Sequence, residues 1–371
     1  MAETPTPARI GVVAETAPAE RRVALVPAHV ERLVRQGARV VCQPGAGAGA
    51  CHGDDDYEQA GAEIGDAWSA DVVLTVNPPG LTDIDRLSRG AVLIGFLAPA
   101  TNTDGIAALR KAGVHAFAVE SVPRISRAQS MDALSSQAGV AGYRAALLAA
   151  DRLPRFFPML TTAAGTVPPA SVLVLGAGVA GLQALATAKR LGARTTGYDV
   201  RPEVADQVRS VGAAWLDLDV LDTSGSGTGG YARELSEAER ARQQERLSEA
   251  VTRADVVITT ALVPGRRAPT LVTAEAVRAM RPGSVVVDLA GEAGGNCELT
   301  VPGEDVVVHD VTVCAPLDLP SRGAVHASEL YSRNLLELVE LMLDDEGRLS
   351  LDTSDEILAG ACVTATDEEV D

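Results

Sequence analysis

The segment Ser171-Val-Leu-Val-Leu-Gly-Ala-Gly-Val-Ala-Gly181 decides the fold, because it joins an apolar, strand-like run to an alanine-rich stretch typical of a helix. Gly176, Gly178 and Gly181 have the spacing G-x-G-x-x-G, and Asp199 ends the next predicted strand. In a dinucleotide-binding βαβ unit the first glycine permits a tight turn, and the second lets a pyrophosphate approach the backbone. The third allows close contact between helix and strand. The segment therefore predicts a Rossmann-like unit that binds a dinucleotide.

The residues after this motif predict which dinucleotide binds. Asp199 would accept hydrogen bonds from the adenosine ribose hydroxyls and would repel a 2′-phosphate, which favours NAD(H) over NADP(H). The N–H groups at the start of the helix would face the phosphates. Arg201 complicates the prediction, because an arginine near this position can accommodate a 2′-phosphate.

Strands and helices alternate on both sides of the motif, which predicts βαβ units and parallel sheets. We predict an α/β fold of two doubly wound parallel-sheet, Rossmann-like domains joined by long helices, with the nucleotide in the interdomain cleft. Residues 1–135 and 327–371 would form the first domain, because an amphipathic helix at 326–343 is expected to return to it. Residues 136–165 would form the linking helix, and residues 166–326 the NAD(H)-binding domain.

Composition and charge exclude several classes of function. The 371 residues include 32 basic and 50 acidic side chains, a net charge of −18, with 3% aromatic residues. Nucleic-acid binding is therefore not expected, because a phosphate backbone would be repelled and few rings are present to stack on bases. No apolar stretch reaches the ~20 residues of a membrane span, and no secretory signal is visible at the N-terminus. The five cysteines form no C-x-x-C pair, so we expect a cytoplasmic protein without a metal site.

Two further stretches of the sequence, residues 45–50 and 216–235, are rich in glycine. Residues 45–50 follow a predicted strand, but no helix is predicted after them, and a flexible turn is the favoured interpretation. Residues 216–235 contain too many glycines to pack as a helix or a strand. A loop of that length inside a domain is either a lid over a ligand or a tolerated insertion.

The segment 123–136 places two arginines, an amide, a carboxylate and several hydroxyls close together in the chain. One interpretation is structural, with Asp132 as the N-cap of a helix and Ser135 one turn away. That interpretation leaves Arg124 and Gln129 unexplained. The other is functional, because a nicotinamide in a cleft needs amide and charged partners. The residue types leave both interpretations open.

Five segments occur together in order, at residues 124–132, 176–181, 229–234, 259–265 and 292–297. This set closely resembles the soluble NAD(H)-binding component, domain I or alpha subunit, of proton-translocating NAD(P) transhydrogenase, and the resemblance covers nearly the whole chain. It implies hydride transfer between NADH on this chain and NADP⁺ on the NADP(H)-binding domain of a partner subunit. It also implies a homodimer, peripheral to the inner membrane, whose membrane-spanning partner subunits couple the reaction to proton translocation.

Alanine dehydrogenase is a soluble relative of that component and gives the alternative prediction. It uses a lysine and a histidine of its first domain on the substrate, whereas the matching strand ends here carry Asn77 and Leu97. An amino-acid dehydrogenase needs a general acid/base, but direct hydride transfer between two nicotinamides does not. Glu292 keeps a carboxylate where alanine dehydrogenase has an aspartate. A free-standing alanine-type dehydrogenase therefore remains the alternative, with a nucleotide-sensing binding protein as a third hypothesis.

The resemblance also implies roles for individual residues. The residues implied to bind on the nicotinamide side are Arg124, Ile125, Ser126, Gln129, Ser130, Met131, Asp132 and Ser135. Four of these are implied to be catalytic: Gln129, Arg124, Asp132 and Ser135. Those implied at the phosphates and the adenosine ribose are Gly176, Gly178, Val179, Ala180, Gly181, Asp199, Val200 and Arg201. Gly230 and Tyr231 would belong to a mobile loop that closes over the nucleotide. Gln243, Ala261 and Leu262 would lie on the adenine side.

Overall fold

Parallel strands and helices alternate along the chain in the computed structural model, which describes residues 6–218, 237–262 and 266–365. Two compact units are present. The first contains the described residues up to 138 and from 320 onward, and the second contains those between 139 and 319. The predicted α/β class with parallel, Rossmann-like sheets is confirmed.

The first unit is built on a six-stranded sheet with the order β3-β2-β1-β4-β5-β6. All five neighbouring pairs are parallel. The strands are β1 (Arg9–Val12), β2 (Arg39–Cys42), β3 (Glu63–Ile64), β4 (Val72–Leu74), β5 (Val92–Gly95) and β6 (His115–Ala118). The order reverses between β1 and β4, and this switch point opens a crevice at the carboxyl ends of the strands.

The second unit is built on a seven-stranded sheet with the order β11-β10-β9-β12-β13-β15-β14. A separate antiparallel hairpin of β7 (Leu160–Thr162) and β8 (Gly165–Val167) precedes it in the chain. The sheet strands are β9 (Ser171–Leu175), β10 (Arg194–Tyr198), β11 (Ala214–Trp215), β12 (Val256–Thr259), β13 (Val285–Asp288), β14 (Asp305–Val308) and β15 (Val311–Cys314). Strands β12 and β13 are buried along their whole length, as expected for a parallel sheet covered on both faces.

Helices flank both sheets. In chain order they are α1 (Pro27–Arg35), α2 (Asp54–Gln59), α3 (Leu81–Ile84), α4 (Thr103–Ala112), α5 (Ala133–Arg152), α6 (Val179–Arg190), α7 (Ala205–Ser210), α8 (Glu237–Arg253), α9 (Ala274–Arg278), α10 (Ala324–Glu340) and α11 (Glu356–Ala361). In the described part of the chain, no helix is both long and apolar enough to cross a membrane.

Helix α10 belongs to the first unit and covers its sheet. Leu335, Leu338 and Val339 of α10 lie in the same apolar cluster as residues of β1, β4 and β5. The hydroxyl of Tyr331, which is fully buried, donates a hydrogen bond to the carbonyl of Thr75 at 2.8 Å. The amphipathic pattern predicted for residues 326–343 therefore corresponds to a helix packed on the N-terminal segments of the chain.

Two sequence predictions need correction. The segment 136–165 is helical only as far as Arg152, because Pro154 and Pro158 cannot continue a helix, and the hairpin β7–β8 begins soon afterwards. The second sheet is also not wholly parallel, as the prediction of parallel-sheet domains required, because β14 runs antiparallel to β15 at the sheet edge. His309 and Asp310, with φ of 52° and 60°, form the two-residue turn that joins these strands.

Candidate functional site

The three glycines of the turn after β9 have three different structural environments. Gly176 has a φ of 101°, a left-handed conformation that other residues rarely adopt. A Cβ on Gly181 would lie 1.8 Å from the carbonyl oxygen of Gly176, so only glycine allows α6 to pack this close. A Cβ on Gly178 would meet nothing within 4 Å. The protein therefore needs no glycine at 178 for its own packing, and the start of α6 is open at this position.

Helix α5 supports this turn from behind. A Cβ on Gly142 would lie 2.1 Å from the carbonyl oxygen of Ala180, in the first turn of α6. The two helices can approach this closely only because residue 142 has no side chain. Gly142 was not predicted from the sequence to support the turn, although two glycines spaced three apart in a helix, Gly139 and Gly142, are a usable signal of close helix packing.

Asp199 is tied directly to the glycine-rich turn. Its carboxylate accepts a hydrogen bond from the Ala177 N–H at 2.8 Å and from the Arg201 N–H at 2.9 Å. The Arg201 guanidinium donates through Nε at 3.0 Å and Nη2 at 3.2 Å. Burial of Asp199 favours a raised pKa, but the bonds from Arg201 and Ala177 outweigh it and lower the pKa. The carboxylate is thus held ionised next to the glycine-rich turn.

A buried polar network at the carboxyl ends of β12 and β13 holds the segment that contains Ala261. Asp288, which is fully buried, accepts hydrogen bonds from the N–H groups of Asn296 and Cys297 at 2.7 and 3.1 Å. The Asn296 side chain then bonds both the N–H and the carbonyl of Ala261. Thr260 donates to the carbonyl of Gly176 at 3.0 Å, which places Ala261 beside the turn.

Asp288 and Asn296 were missed by the sequence analysis. Asp288 ends an apolar strand and Asn296 lies in the segment 292–297 that carries the resemblance, but neither pattern indicates the long-range hydrogen bonds on which their roles depend. Leu262, predicted on the adenine side, is 57% exposed and next to Ala261. It is therefore accessible to a ligand.

The other predicted residues of the second unit are placed as follows. Gln243 donates to the hydroxyl of Tyr198, whose ring stacks on Trp215 with centroids 6.3 Å apart. Its amide is therefore already engaged with the end of β10. Val200 is exposed beside Asp199. Gly230 and Tyr231 lie outside the described residues, as does most of the 216–235 segment.

In the first unit, the segment 123–132 lines a cavity of about 280 Å³. Residues 126–131 form a 3₁₀ turn, with Met131 buried, while Ser126 and Ser130 are exposed. The predicted residues that line the cavity are Arg124, Ile125, Ser126, Gln129 and Asp132. Arg124 and Gln129 are exposed, and among the described residues neither side chain has a hydrogen-bond or ion-pair partner. Both are therefore available to a ligand.

Asp132 has a structural role that the sequence analysis had left open. It precedes α5, and its carboxylate accepts hydrogen bonds from the N–H of Ser135 at 2.9 Å and from its hydroxyl at 2.6 Å. This is the N-cap arrangement. The N-cap interpretation is thus confirmed, and Asp132 and Ser135 bond to each other at the edge of the cavity.

Glu120 also lines this cavity and was not identified from the sequence. One carboxylate oxygen accepts the N–H groups of Leu97 and Ala98, and the other is buried without a partner in the described structure. Burial of this side chain outweighs those hydrogen bonds and raises the pKa of Glu120. It fixes the end of β5 rather than pairing with the nearby Arg124.

The switch point of the first sheet is filled by charged and amide groups. Glu20 forms a salt bridge with Arg22 at 2.6 Å. The side-chain amide of Asn77 donates one hydrogen bond to Glu15 and one to Glu20, each at 2.9 Å. Burial alone would raise the pKa of Glu20, but the Arg22 guanidinium lowers it to about 2. Leu97 is fully buried. Asn77 follows β4 and Leu97 follows β5, and neither of these two side chains is basic.

The sequence matches family models along most of its length. Residues 11–141 match the alanine dehydrogenase/PNT N-terminal domain, and residues 145–370 match the alanine dehydrogenase/PNT C-terminal domain. Over 369 residues the chain is 46% identical to the first portion of the NAD(P) transhydrogenase alpha subunit of Rhodospirillum rubrum, covering 96% of each chain. It is 33% identical to alanine dehydrogenase of Mycolicibacterium smegmatis, covering 94% of this chain and 91% of that one.

A solved structure is similar over the same extent. The transhydrogenase from Sinorhizobium meliloti has a TM-score of 0.87 and 43% identity, covering 95% of this chain and 97% of that one. The resemblance predicted from the five segments is confirmed, and with it the predicted class of cofactor, a nicotinamide dinucleotide.

Proposed function

Because the chain belongs to the alanine dehydrogenase/PNT family, we propose that it is the NAD(H)-binding component of an NAD(P) transhydrogenase. NADH bound here would supply a hydride to NADP⁺ held on a partner subunit. The observation that carries the proposal is the turn after β9, where Gly178 leaves open space in front of α6 while Gly176 and Gly181 are required by the fold itself. A tight turn with open space beside its middle glycine allows a pyrophosphate to approach the backbone at the start of the helix.

Each unit contains residues that would contact a nucleotide. In the second unit, the turn and the start of α6 would bind the phosphates, Asp199 the ribose, and Ala261 with Leu262 the adenine side. In the first unit, Arg124 and Gln129 would bind on the nicotinamide side. Their side chains are exposed at the cavity and have no partner among the described residues, which supports that role. Asp132 and Ser135 would act by fixing the start of α5 beside them.

Transhydrogenation fits the first unit better than amino-acid dehydrogenation does. A dehydrogenase that acts on an amino acid needs a proton donor and acceptor near neutral pH. Asn77 has an amide that is bonded to two glutamates, and Leu97 is a buried hydrocarbon side chain, so neither can transfer a proton. Direct transfer between two nicotinamides needs only that they be positioned.

The proposal includes partners and a location. The relative from Rhodospirillum rubrum is named as one portion of a subunit, which supports partner subunits for this chain. We propose that the chain is a homodimer on the cytoplasmic side of the inner membrane. It would be attached through membrane-spanning subunits that couple hydride transfer to proton translocation.

The test measures two reactions with the same preparation. The purified chain is mixed with NADH, an oxidised nucleotide analogue of shifted absorbance and the NADP(H)-binding component of a bacterial transhydrogenase. We expect hydride transfer that needs both proteins, and negligible oxidation of alanine by NAD⁺ with the chain alone. Robust alanine turnover by the lone chain would establish the dehydrogenase instead. Tight NADH binding without either reaction would establish a nucleotide sensor.

A further inference from the structure

The loop that lines the cavity of the first unit, residues 123–132, is held in its middle by an ion pair with the C-terminal part of the chain. We call these residues the cavity loop. The guanidinium of Arg127 donates to both carboxylate oxygens of Asp355, through Nη1 at 2.7 Å and through Nη2 at 3.0 Å. Two parallel bonds between a guanidinium and a carboxylate fix the orientation of both groups, which a single bond does not. The position of Arg127 is therefore set by a residue 228 positions away.

Helix α11, which follows Asp355, contacts the cavity loop at a second point. A Cβ on Gly360 would lie 3.3 Å from Cδ of Pro123, so α11 packs directly against the first residue of the loop. The chain after α11 is tied to β6, because the N–H of Val363 donates to the carbonyl of Ala116 at 2.8 Å. Residues 355–364, the C-terminal segment, thus hold the cavity loop at its start and in its middle while anchored to the sheet.

Asp355 has two roles that a single substitution can separate. It is the N-cap of α11, where its carboxylate accepts the N–H of Ile357 at 2.8 Å, and it is the partner of Arg127. The Asp355 side chain is 14% exposed and that of Arg127 is 49% exposed. The hydrogen bond from Arg127 lowers the pKa of Asp355, so the carboxylate is ionised at neutral pH. Asparagine is as good an N-cap as aspartate, so Asp355→Asn keeps the start of the helix and removes the charge.

We propose that Asp355 is a positioning residue for hydride transfer, which acts through Arg127 to hold the cavity loop in place. The inference rests on the proposed function, in which Arg124 and Gln129 bind on the nicotinamide side. These two side chains flank Arg127, are exposed and make no hydrogen bond or ion pair within the described structure, so the loop backbone determines where they lie. The described residues that line the cavity do not include Asp355, so its effect on the nucleotide is indirect.

A loosened cavity loop should slow hydride transfer more than it weakens NADH binding. Direct transfer requires the two nicotinamides to be positioned to within about 1 Å. In the proposed function, most of the nucleotide is held by residues of the second unit, which Asp355→Asn leaves unchanged. We therefore expect hydride transfer to be about three- to tenfold slower in Asp355→Asn, with the dissociation constant for NADH within about twofold of the wild type.

The experiment combines two measurements on the full-length protein. Amide hydrogen exchange, followed by mass spectrometry without nucleotide, reports directly on the cavity loop. In Asp355→Asn, exchange in residues 123–132 should be at least about threefold faster than in the wild type, because a contact that opposes local opening is lost. Stopped-flow hydride transfer with the NADP(H)-binding component of a bacterial transhydrogenase and calorimetric NADH titration then give the rate and the affinity.

Three further variants control the experiment. Arg127→Met should reproduce the effects of Asp355→Asn, and the double variant should be no worse than either single variant, because each substitution removes the same interaction. Asp344→Asn is the matched control in the same unit. The Asp344 carboxylate also pairs with an arginine, Arg348 at 2.7 Å, and also accepts backbone N–H groups, but its partners lie in residues 344–348. It should change neither exchange in the cavity loop nor hydride transfer.

The outcomes distinguish this inference from the function on which it rests. Faster exchange in the cavity loop together with slower transfer, seen in Asp355→Asn and Arg127→Met but not in Asp344→Asn, supports the inference. Unchanged exchange in the loop would overturn it. Faster exchange with an unchanged transfer rate would show that Asp355 holds the loop without positioning the nicotinamide, so the inference fails and the proposed function stands. If the wild type binds NADH but transfers no hydride, the proposed function fails and this inference falls with it.

Discussion

Adding one methyl group at Gly178 and one at Gly181 should have opposite consequences. In Gly178→Ala the new Cβ meets nothing within 4 Å, and the backbone, with φ of −76° and ψ of −167°, is one that alanine adopts. Alanine is a poorer N-cap than glycine but also restricts the unfolded chain, so these effects offset each other to within about 0.5 kcal/mol. NADH affinity should nevertheless fall at least about tenfold, because the methyl group occupies the space in which we propose that the pyrophosphate binds.

In Gly181→Ala the new Cβ would lie 1.8 Å from the carbonyl oxygen of Gly176. Such a distance is far shorter than an ordinary van der Waals contact, so α6 and the turn after β9 would have to separate. Overpacking of this kind costs about 1–3 kcal/mol of unfolding free energy. The backbone carbonyl cannot rotate away as a flexible side chain could, which puts this variant at the upper end of that range.

Denaturant unfolding and calorimetric NADH titration of both variants measure the two quantities independently. Gly45→Ala tests a glycine outside the motif that also has nothing within 4 Å but has a φ of 74°, and it should lower stability without affecting NADH. Wild-type NADH affinity in Gly178→Ala would show that the pyrophosphate does not approach this turn. Unchanged stability in Gly181→Ala would show that the close contact between α6 and the turn is not required.

Three further predictions test other regions of the structure. Asp288→Asn should lower the free energy of unfolding by about 2–4 kcal/mol, because a buried acceptor of several hydrogen bonds is replaced in part by a donor. Asp305→Asn, at an exposed sheet edge, is the control and should lower it by less than about 1 kcal/mol in the same denaturation assay. The folded pKa of Glu20 lies below its ordinary value of 4.5, so the stability it adds is present above that value and is lost as pH falls towards 2. In Glu20→Gln the free energy of unfolding should therefore fall less steeply than in the wild type as the pH is lowered from 4.5 towards 2. An equally steep fall in both proteins would contradict this prediction. Gln129→Asn should slow hydride transfer up to about a hundredfold in stopped-flow traces while NADH affinity changes little; a parallel loss of affinity would mean that Gln129 only binds.

The elements that sequence alone predicts well are those whose cause is local. In the turn after β9, Gly176 is required by its positive φ and Gly181 by the close approach of α6, and the G-x-G-x-x-G spacing predicts both requirements. Helix α10 has an apolar stripe that requires a partner surface, which the sheet of the first unit provides. Asp132 caps a helix through a residue only three positions away. In each case the decisive interaction lies within a few residues or one periodic face.

What the sequence did not predict depends on contacts between distant segments. Asp288 becomes the acceptor for the 296–297 segment only after two separate strands are aligned, and Glu120 reaches the N–H groups that follow β5 only within the folded sheet. The direction of β14 depends on a two-residue turn whose positive φ angles fall on His309 and Asp310, residues that are less common there than glycine. Composition and periodicity carry no signal for such pairings.

The most direct test of the central claim follows a labelled hydride. NADH carrying deuterium on the transferred position of its nicotinamide ring is mixed with this chain, the NADP(H)-binding component of a bacterial transhydrogenase and NADP⁺, and the reduced products are analysed by mass spectrometry. Direct transfer between two positioned nicotinamides predicts NADPH that retains the deuterium, formed only when both proteins are present. NADPH that carries solvent hydrogen instead, or no NADPH while NADH remains tightly bound, would contradict the assignment of this chain as a transhydrogenase component.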